Sequence, residues 1–171
     1  SPSREVLGRK FLEKINPVKY PNRKERYTTP KRAQIVSGSF LVVKTHDFND
    51  VGGFDTNLFL YYEETHVCTR LAKIEKYAYL IPDALFIHFH GISTPSSINI
   101  KIELKISLLY VIRKHYGFFW HKFLLTHLQF RYFFSALFKP KYWGLFSVLL
   151  VGAPLTKSLK LKQIIKEYHG N

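Results

Sequence analysis

The stretch FDTNLFLYYEETHVCTR, residues Phe54–Arg70, decides how this chain is read. It sets two adjacent carboxylates, Glu63 and Glu64, between an aromatic run and the start of an expected helix. Glu64, Val67, Cys68 and Leu71 recur at helical spacing, so one helix with an apolar stripe is expected from about Glu63 to Ile74. Partly buried paired acids are costly unless something neutralises or uses them, which makes this pair the first candidate for chemistry. Acids in a first helical turn are also favoured by the helix dipole alone, and in isolation the pair leaves both accounts open.

Upstream, residues 35–43 (IVSGSFLVV) are β-rich and interrupted by Gly38, which predicts a strand whose backbone closely approaches something. Residues 44–51 read as a short helical piece or turn, and Gly52 and Gly53 mark a sharp turn. Downstream, Tyr77–Ile81 and Ala84–Phe89 are expected as two short strands around a turn at Pro82 and Asp83. His88 and His90 would share one face of the second, as ordinary strand-end histidines or as ligands.

From Ile98 the period becomes helical. Ile102, Ile106, Leu109 and Arg113 form one row, and Leu104, Leu108 and Val111 another, giving a helix that ends near Gly117. Aromatic and leucine residues continue to Phe138, a basic break follows at Lys139–Tyr142, and a basic amphipathic tail is expected from Lys157 to Tyr168. The uncharged run 142–156 is short against the ~20 residues of a spanning helix, and is compatible with an interfacial or a re-entrant position.

The 171 residues carry a net charge of +14, distributed unevenly. Residues 1–33 hold ten Lys/Arg against three Asp/Glu, residues 34–95 four against seven, and residues 96–171 twelve against two. An acidic island thus lies between basic flanks suited to anionic partners such as lipid headgroups or sugar-nucleotide phosphates. No nucleic-acid motif accompanies the charge, so no nucleic acid is expected as a partner. The single cysteine excludes an internal disulfide and a multi-cysteine zinc site. With no methionine in the sequence, the chain reads as part of a longer protein. Three segments are expected: a basic, loop-like connection over 1–33, an α/β unit over 34–97 and a basic amphipathic helical region over 98–171.

Taken in order, SGSFLVV (37–43), VGGFD (51–55), FLYYEE (59–64), Arg70, PDA (82–84) and HFHGIS (88–93) together resemble family 2 glycosyltransferases, most closely the rhamnosyltransferase-like branch that builds bacterial surface polysaccharides. The likeness continues loosely through LYVIRKHYG (109–117). It implies an α/β fold: the C-terminal half of a GT-A, Rossmann-like sandwich, followed by an α-helical membrane-associated region. It implies an inverting transfer from a nucleotide-sugar donor to a cell-surface polysaccharide or lipid-linked acceptor, with Glu64 as the catalytic base and Glu63 as its structural or acceptor-binding neighbour.

By the same resemblance, Ser37 and Gly38 line the sugar and acceptor side, Asp55 belongs to the turn that positions the acidic loop, and His88 helps to bind a divalent metal (Mg or Mn) or the donor diphosphate. Arg70 is a candidate for the substrate's charge, although it lies seven residues after Glu63, where a salt link within the helix serves equally well. A peripheral position on the anionic, cytoplasmic face of the inner membrane would follow from a lipid-linked acceptor. Three departures stand out: Glu64 replaces the usual aspartate, His66 stands where a further acid is common, and no Asp-x-Asp motif for metal and nucleotide occurs in these residues. A base displaced by one ångström costs about 100-fold. The alternative is a truncated, non-catalytic, membrane-associated remnant of such an enzyme.

Overall fold

The apolar rows beginning at Ile98 build the element against which the rest of the chain is placed. A computed structural model describes residues 2–17, 20, 25–87 and 97–163. Helix α5 runs Ile98–Phe138 over 41 residues, capped by the Ser97 hydroxyl, which accepts from the Ile100 N–H at 3.2 Å. It is broken at Gly117, whose φ of 82° and ψ of −175° are open to a residue without Cβ and strained for others. The expected helix end near Gly117 is therefore a sharp bend. The second arm folds back on the first, so that Ile106, Leu109 and Ile112 pack against Leu124, Leu125 and Leu128. Helix α6 (Trp143–Leu150) closes this core with Leu145 and Leu149, and the Gln129 side-chain amide donates to the Leu149 carbonyl at 2.9 Å.

The start of the basic N-terminal segment is helical, where a loop-like connection is expected. Helices α1 (Pro2–Leu7) and α2 (Arg9–Ile15) meet at Gly8, with φ of 77°. Pro2 is the first residue of α1, a position that needs no N–H donor. Val6 packs on the core, and Glu5 reaches Lys105 of α5 at 3.5 Å. Contacts with α5 thus override a weak local signal.

The middle of the chain carries a two-stranded antiparallel sheet, β1 (Lys31–Ala33) and β2 (Ala78–Leu80), with Arg32 opposite Tyr79. Strand β2 lies within the expected strand 77–81. The strand expected over 35–43 is instead loop, with a turn at Gly38 and Ser39. Residues 84–87 likewise form no strand, and Leu85 and Ile87 are exposed. A β pattern becomes a strand only beside a neighbour that accepts its hydrogen bonds, and among the described residues the only strands paired in this way are β1 and β2.

Helix α3 (Thr45–Asp50) and helix α4 (Glu63–Lys73) take the expected places. The tail expected as an amphipathic helix forms short 3₁₀ turns at Leu155–Lys157 and Leu159–Lys162. They are tied to α5 through Glu103, which accepts from the Ser158 hydroxyl at 2.9 Å and the Leu159 N–H at 2.8 Å. The tail beyond residue 163 lies outside the described residues. No helix among the described residues is long and apolar enough to cross a membrane.

Candidate functional site

Helix α4 begins without a side-chain cap. The two residues before it, Tyr61 and Tyr62, both have φ of 67°, a left-handed conformation uncommon for side chains of this size. Such strain persists only where surrounding contacts hold it. Here the Tyr62 hydroxyl donates to Glu5 at 3.2 Å, and the Ser107 hydroxyl donates to the Leu60 carbonyl at 2.8 Å, clamping the turn between α1 and α5. This turn sends Glu63 and Glu64 into the first helical turn, facing a cleft of about 550 Å³.

The cleft is lined by Gly38, Leu41, Val43, Thr45, Phe48, Phe54, Glu63 and Glu64. Its walls are largely apolar and its floor carries the two acids, so the carboxylates are partly removed from water. Burial raises the Glu64 carboxyl above the ordinary glutamate range, and the Glu63 charge acts in the same direction. Hydrogen bonds from the Glu64 and Thr65 backbone N–H groups and the Thr65 hydroxyl act against them without reversing the result. Glu63 Oε2 is buried with no hydrogen-bond partner among the described residues. A carboxylate of raised proton affinity beside a second, under-satisfied one is equipped to accept a proton from a hydroxyl in the cleft.

Gly38 lies against this pair: a Cβ built on it would be 3.6 Å from the Glu64 Cβ and 3.8 Å from Oε2. The close backbone approach expected at Gly38 is therefore an approach to the acid. Ser37 is exposed, with its hydroxyl 2.9 Å from that of Ser39, and is not among the residues lining the cleft.

Asp55 and Arg70 fix the surrounding loops. Asp55 accepts from the Asn57 N–H at 2.9 Å, the Asn57 amide at 2.8 Å and the Tyr110 hydroxyl at 2.7 Å. Burial pushes its carboxyl upward, but these hydrogen bonds outweigh burial and leave it below the ordinary aspartate value. The two terminal nitrogens of Arg70 donate to the Val51 and Gly53 carbonyls, so its fork holds the glycine turn. His88 and His90 lie outside the described residues.

His66 and His115, whose partnership sequence reasoning missed, lie behind the acid pair. His66 is buried on α4, with Nε2 at 3.3 Å from Asp55 Oδ2 and Nδ1 at 2.6 Å from Nε2 of His115 on α5. Donation by His66 Nε2–H to the carboxylate leaves Nδ1 to accept from His115 Nε2–H. His115 Nδ1 is then a bare nitrogen, and it is buried without a partner among the described residues. Burial, His66 and the cations Lys73, Arg70 and Lys114 hold His115 down to about 4. Burial, then Arg70, lower His66 as well, although Asp55 opposes them. The signal in the sequence was His115 within residues 109–117, but only the fold pairs it with His66.

A divalent metal needs a compact set of ligands. Among the described residues the only group of three or more is His46, Asp47 and Asp50, with ligand atoms within 4.8 Å of one another. It lies on the short helix α3, and Asp47 also pairs with Lys76 at 3.6 Å. The acid pair supplies two carboxylates and no third ligand, so the described part of the cleft does not fit a resident metal.

Over 106 residues the chain is 31% identical to Rhamnosyltransferase WbbL of Escherichia coli (strain K12), a match covering 61% of this chain and 39% of that protein. It is also 31% identical over 106 residues to the N-acetylglucosaminyl-diphospho-decaprenol L-rhamnosyltransferase of Mycobacterium tuberculosis (strain CDC 1551 / Oshkosh), covering 60% of this chain and 34% of that protein. The match thus takes in between a third and two fifths of the length of these curated relatives. No protein-family model and no solved structure matches the chain. The similarity to rhamnosyltransferases supports a glycosyltransferase relationship.

Proposed function

We propose that this chain supplies the catalytic-base portion of an inverting glycosyltransferase, family 2 in kind, that transfers a sugar from a nucleotide-sugar donor to a lipid-linked or cell-surface glycan acceptor. The observation that carries the reading is the acid pair delivered by two left-handed tyrosines into the cleft, with burial raising the Glu64 carboxyl. Similarity to rhamnosyltransferases supports the choice of sugar transfer over other base-dependent chemistry.

In the proposed reaction the acceptor hydroxyl lies within hydrogen-bond reach of Glu64. Its oxygen bonds to the anomeric carbon as the carbon–oxygen bond to the donor diphosphate breaks. The hydroxyl proton passes to Glu64, and the bonding electron pair leaves with the nucleoside diphosphate. Gly38 keeps the space beside the base open, while Asp55 and Arg70 hold the loops that shape it. The charge of the leaving group must be met by cations or a metal, and Arg70, committed to two carbonyls, is not placed to do so.

A lipid-linked acceptor requires the protein to reach a membrane surface. We place the chain peripherally on the anionic, cytoplasmic face of the inner membrane through the second arm of α5. There Phe119, Phe123, Phe130, Phe134 and Leu137 form one exposed stripe opposite buried Leu124, Leu125 and Leu128, with Lys122 and Arg131 on the same arm.

The test is Glu64→Gln in the whole protein. Sugar transfer should fall by at least about 100-fold with donor binding little changed. Undiminished turnover would remove Glu64 from the mechanism. If the unaltered whole protein binds no sugar nucleotide and transfers no sugar, the non-catalytic, membrane-associated alternative stands instead.

A further inference from the structure

A second cleft, of about 310 Å³, lies between the two arms of α5 and the turn before α6. Its polar lining is Lys101, Lys105, Arg131, Tyr132, Ser135 and Tyr142, without a carboxylate among them. Lys105 is 8% exposed, a degree of burial unusual for lysine unless it is paired. Its partner is Glu5, at 3.5 Å and outside the lining, while Glu103 on the same arm is turned away onto Ser158 and Leu159.

Three cations therefore face a space that one carboxylate neutralises only in part. Burial lowers the Lys105 ammonium, and the nearby Arg131 charge contributes to the same shift. At the rim, the Lys101 ammonium donates to the Tyr142 hydroxyl at 3.1 Å, and this contact lowers the phenol. A plain helix–helix seam would be filled by apolar side chains; this one is open and positively charged.

We propose that this cleft is a binding site for a phosphate or diphosphate group. Arg131 supplies a planar fork, Lys101 and Lys105 supply point charges, and Ser135 and Tyr142 offer hydroxyl groups. Phosphate oxygens are matched by such a set through short, charge-assisted hydrogen bonds. Resting on the glycosyltransferase reading, the group is the diphosphate of the lipid-linked acceptor, drawn from a membrane lying along the aromatic stripe of the same arm. Lys105 is joined through Glu5 to the hydroxyl of Tyr62, the residue that precedes the acid pair.

The test uses the full 171-residue chain. Inorganic diphosphate is titrated by calorimetry, and phosphatidylcholine vesicles with and without a polyprenyl diphosphate are sedimented with the protein. Lys101 and Arg131 are exposed, so the double variant K101Q/R131Q should keep its urea midpoint; R131Q alone serves if it does not. The charge-matched control is K10Q/K44Q, also exposed and outside both the cleft and the membrane-facing arm.

Binding should be saturable with one site per chain and weakened about ten-fold or more by K101Q/R131Q, with the control unchanged. Response to inorganic diphosphate identifies a soluble anion as sufficient, whereas response to the polyprenyl vesicles alone assigns the site to a lipid headgroup. Absence of binding in both arms, or equal weakening by both double variants, overturns the site. Neither result depends on sugar transfer, so the Glu64→Gln experiment and this one fail separately.

Discussion

Lowering the pH should destabilise this fold between about 6.5 and 4, through the His66–His115 pair. An ordinary histidine protonates near 6.5 in the unfolded chain, whereas His115 is held down to about 4 in the fold. Between those values the unfolded state binds the extra proton and the native state does not, so stability rises with pH across the window and is lost as pH falls. The cause is geometric. A proton on His115 Nδ1 would sit in a buried position with no acceptor among the described residues, and a proton on His66 Nδ1 would confront the His115 N–H at 2.6 Å.

One displaced proton is worth about 1.4 kcal/mol per pH unit, which sets a ceiling near 3 kcal/mol across the window. His115 is only part-buried, and solvent screening reduces the expected loss to about 1 to 2 kcal/mol. Glu64 acts in the opposite sense at the acid end, because its raised proton affinity stabilises the fold as it protonates. Asp55, held low, contributes only below about pH 4. Urea midpoints from pH 7 to 4.5 for the unaltered chain, E64Q and H115Q separate these terms. The slope should steepen in E64Q and flatten in H115Q, where a glutamine amide donates to His66 without titrating. A flat profile in the unaltered chain, or the same slope in H115Q, would refute the assigned pairing.

Replacing Arg70 by methionine should cost about 2 to 4 kcal/mol, because it frees the Val51 and Gly53 carbonyls from their shared donor; lysine should restore little, since one ammonium cannot reproduce the fork. Urea denaturation of both variants checks this, and full rescue by lysine would contradict the clamp. Leu128→Ala should cost about 2 to 5 kcal/mol, because Leu128 is 0% exposed between the arms of α5 and its loss leaves a cavity. A thermal midpoint shift of less than a degree would show that the arms do not pack as described. Phe119→Ser with Phe134→Ser should abolish sedimentation with anionic vesicles while leaving the urea midpoint unchanged, since both rings are already exposed. Undiminished sedimentation would remove the stripe from membrane contact.

The parts of this fold visible in the sequence are those decided within one element. The stripe Val67, Cys68 and Leu71 gave α4, and the rows from Ile102 to Arg113 gave the first arm of α5 with Gly117 as its end. The place of the acid pair in a first helical turn was legible because local spacing sets it, and Gly38 marked a close backbone approach without naming Glu64 as its partner. What was illegible depends on partners far along the chain. IVSGSFLVV has the composition of a strand, but no strand pairs with it among the described residues, and it serves instead as a wall of the acid cleft. Arg70 carries the charge expected of a substrate contact, yet which carbonyls it meets depends on how residues 51–53 turn. The basic cleft was hidden for the same reason: Lys101 and Arg131 become neighbours only because α5 reverses at Gly117.

Both arms of α5 take part in the features assigned to this chain. Its first arm presents Ser107, Tyr110 and His115 to the acid-bearing loop and helix, fixing Leu60, Asp55 and His66. Its second arm buries leucines on one side and exposes aromatics on the other, while the cations of both arms meet in the cleft between them. An independent helical appendage would need none of these cross-contacts, and its removal would leave the acid pair in place. Here the left-handed turn at Tyr61 and Tyr62 is held by Ser107 directly, and by Lys105 through Glu5. Two strained residues at roughly 1 to 3 kcal/mol each persist only while such contacts hold them. The helical region is therefore part of the machinery that aims Glu64, and an anion drawn to Lys105 would compete with Glu5 for the same ammonium that steadies that aim.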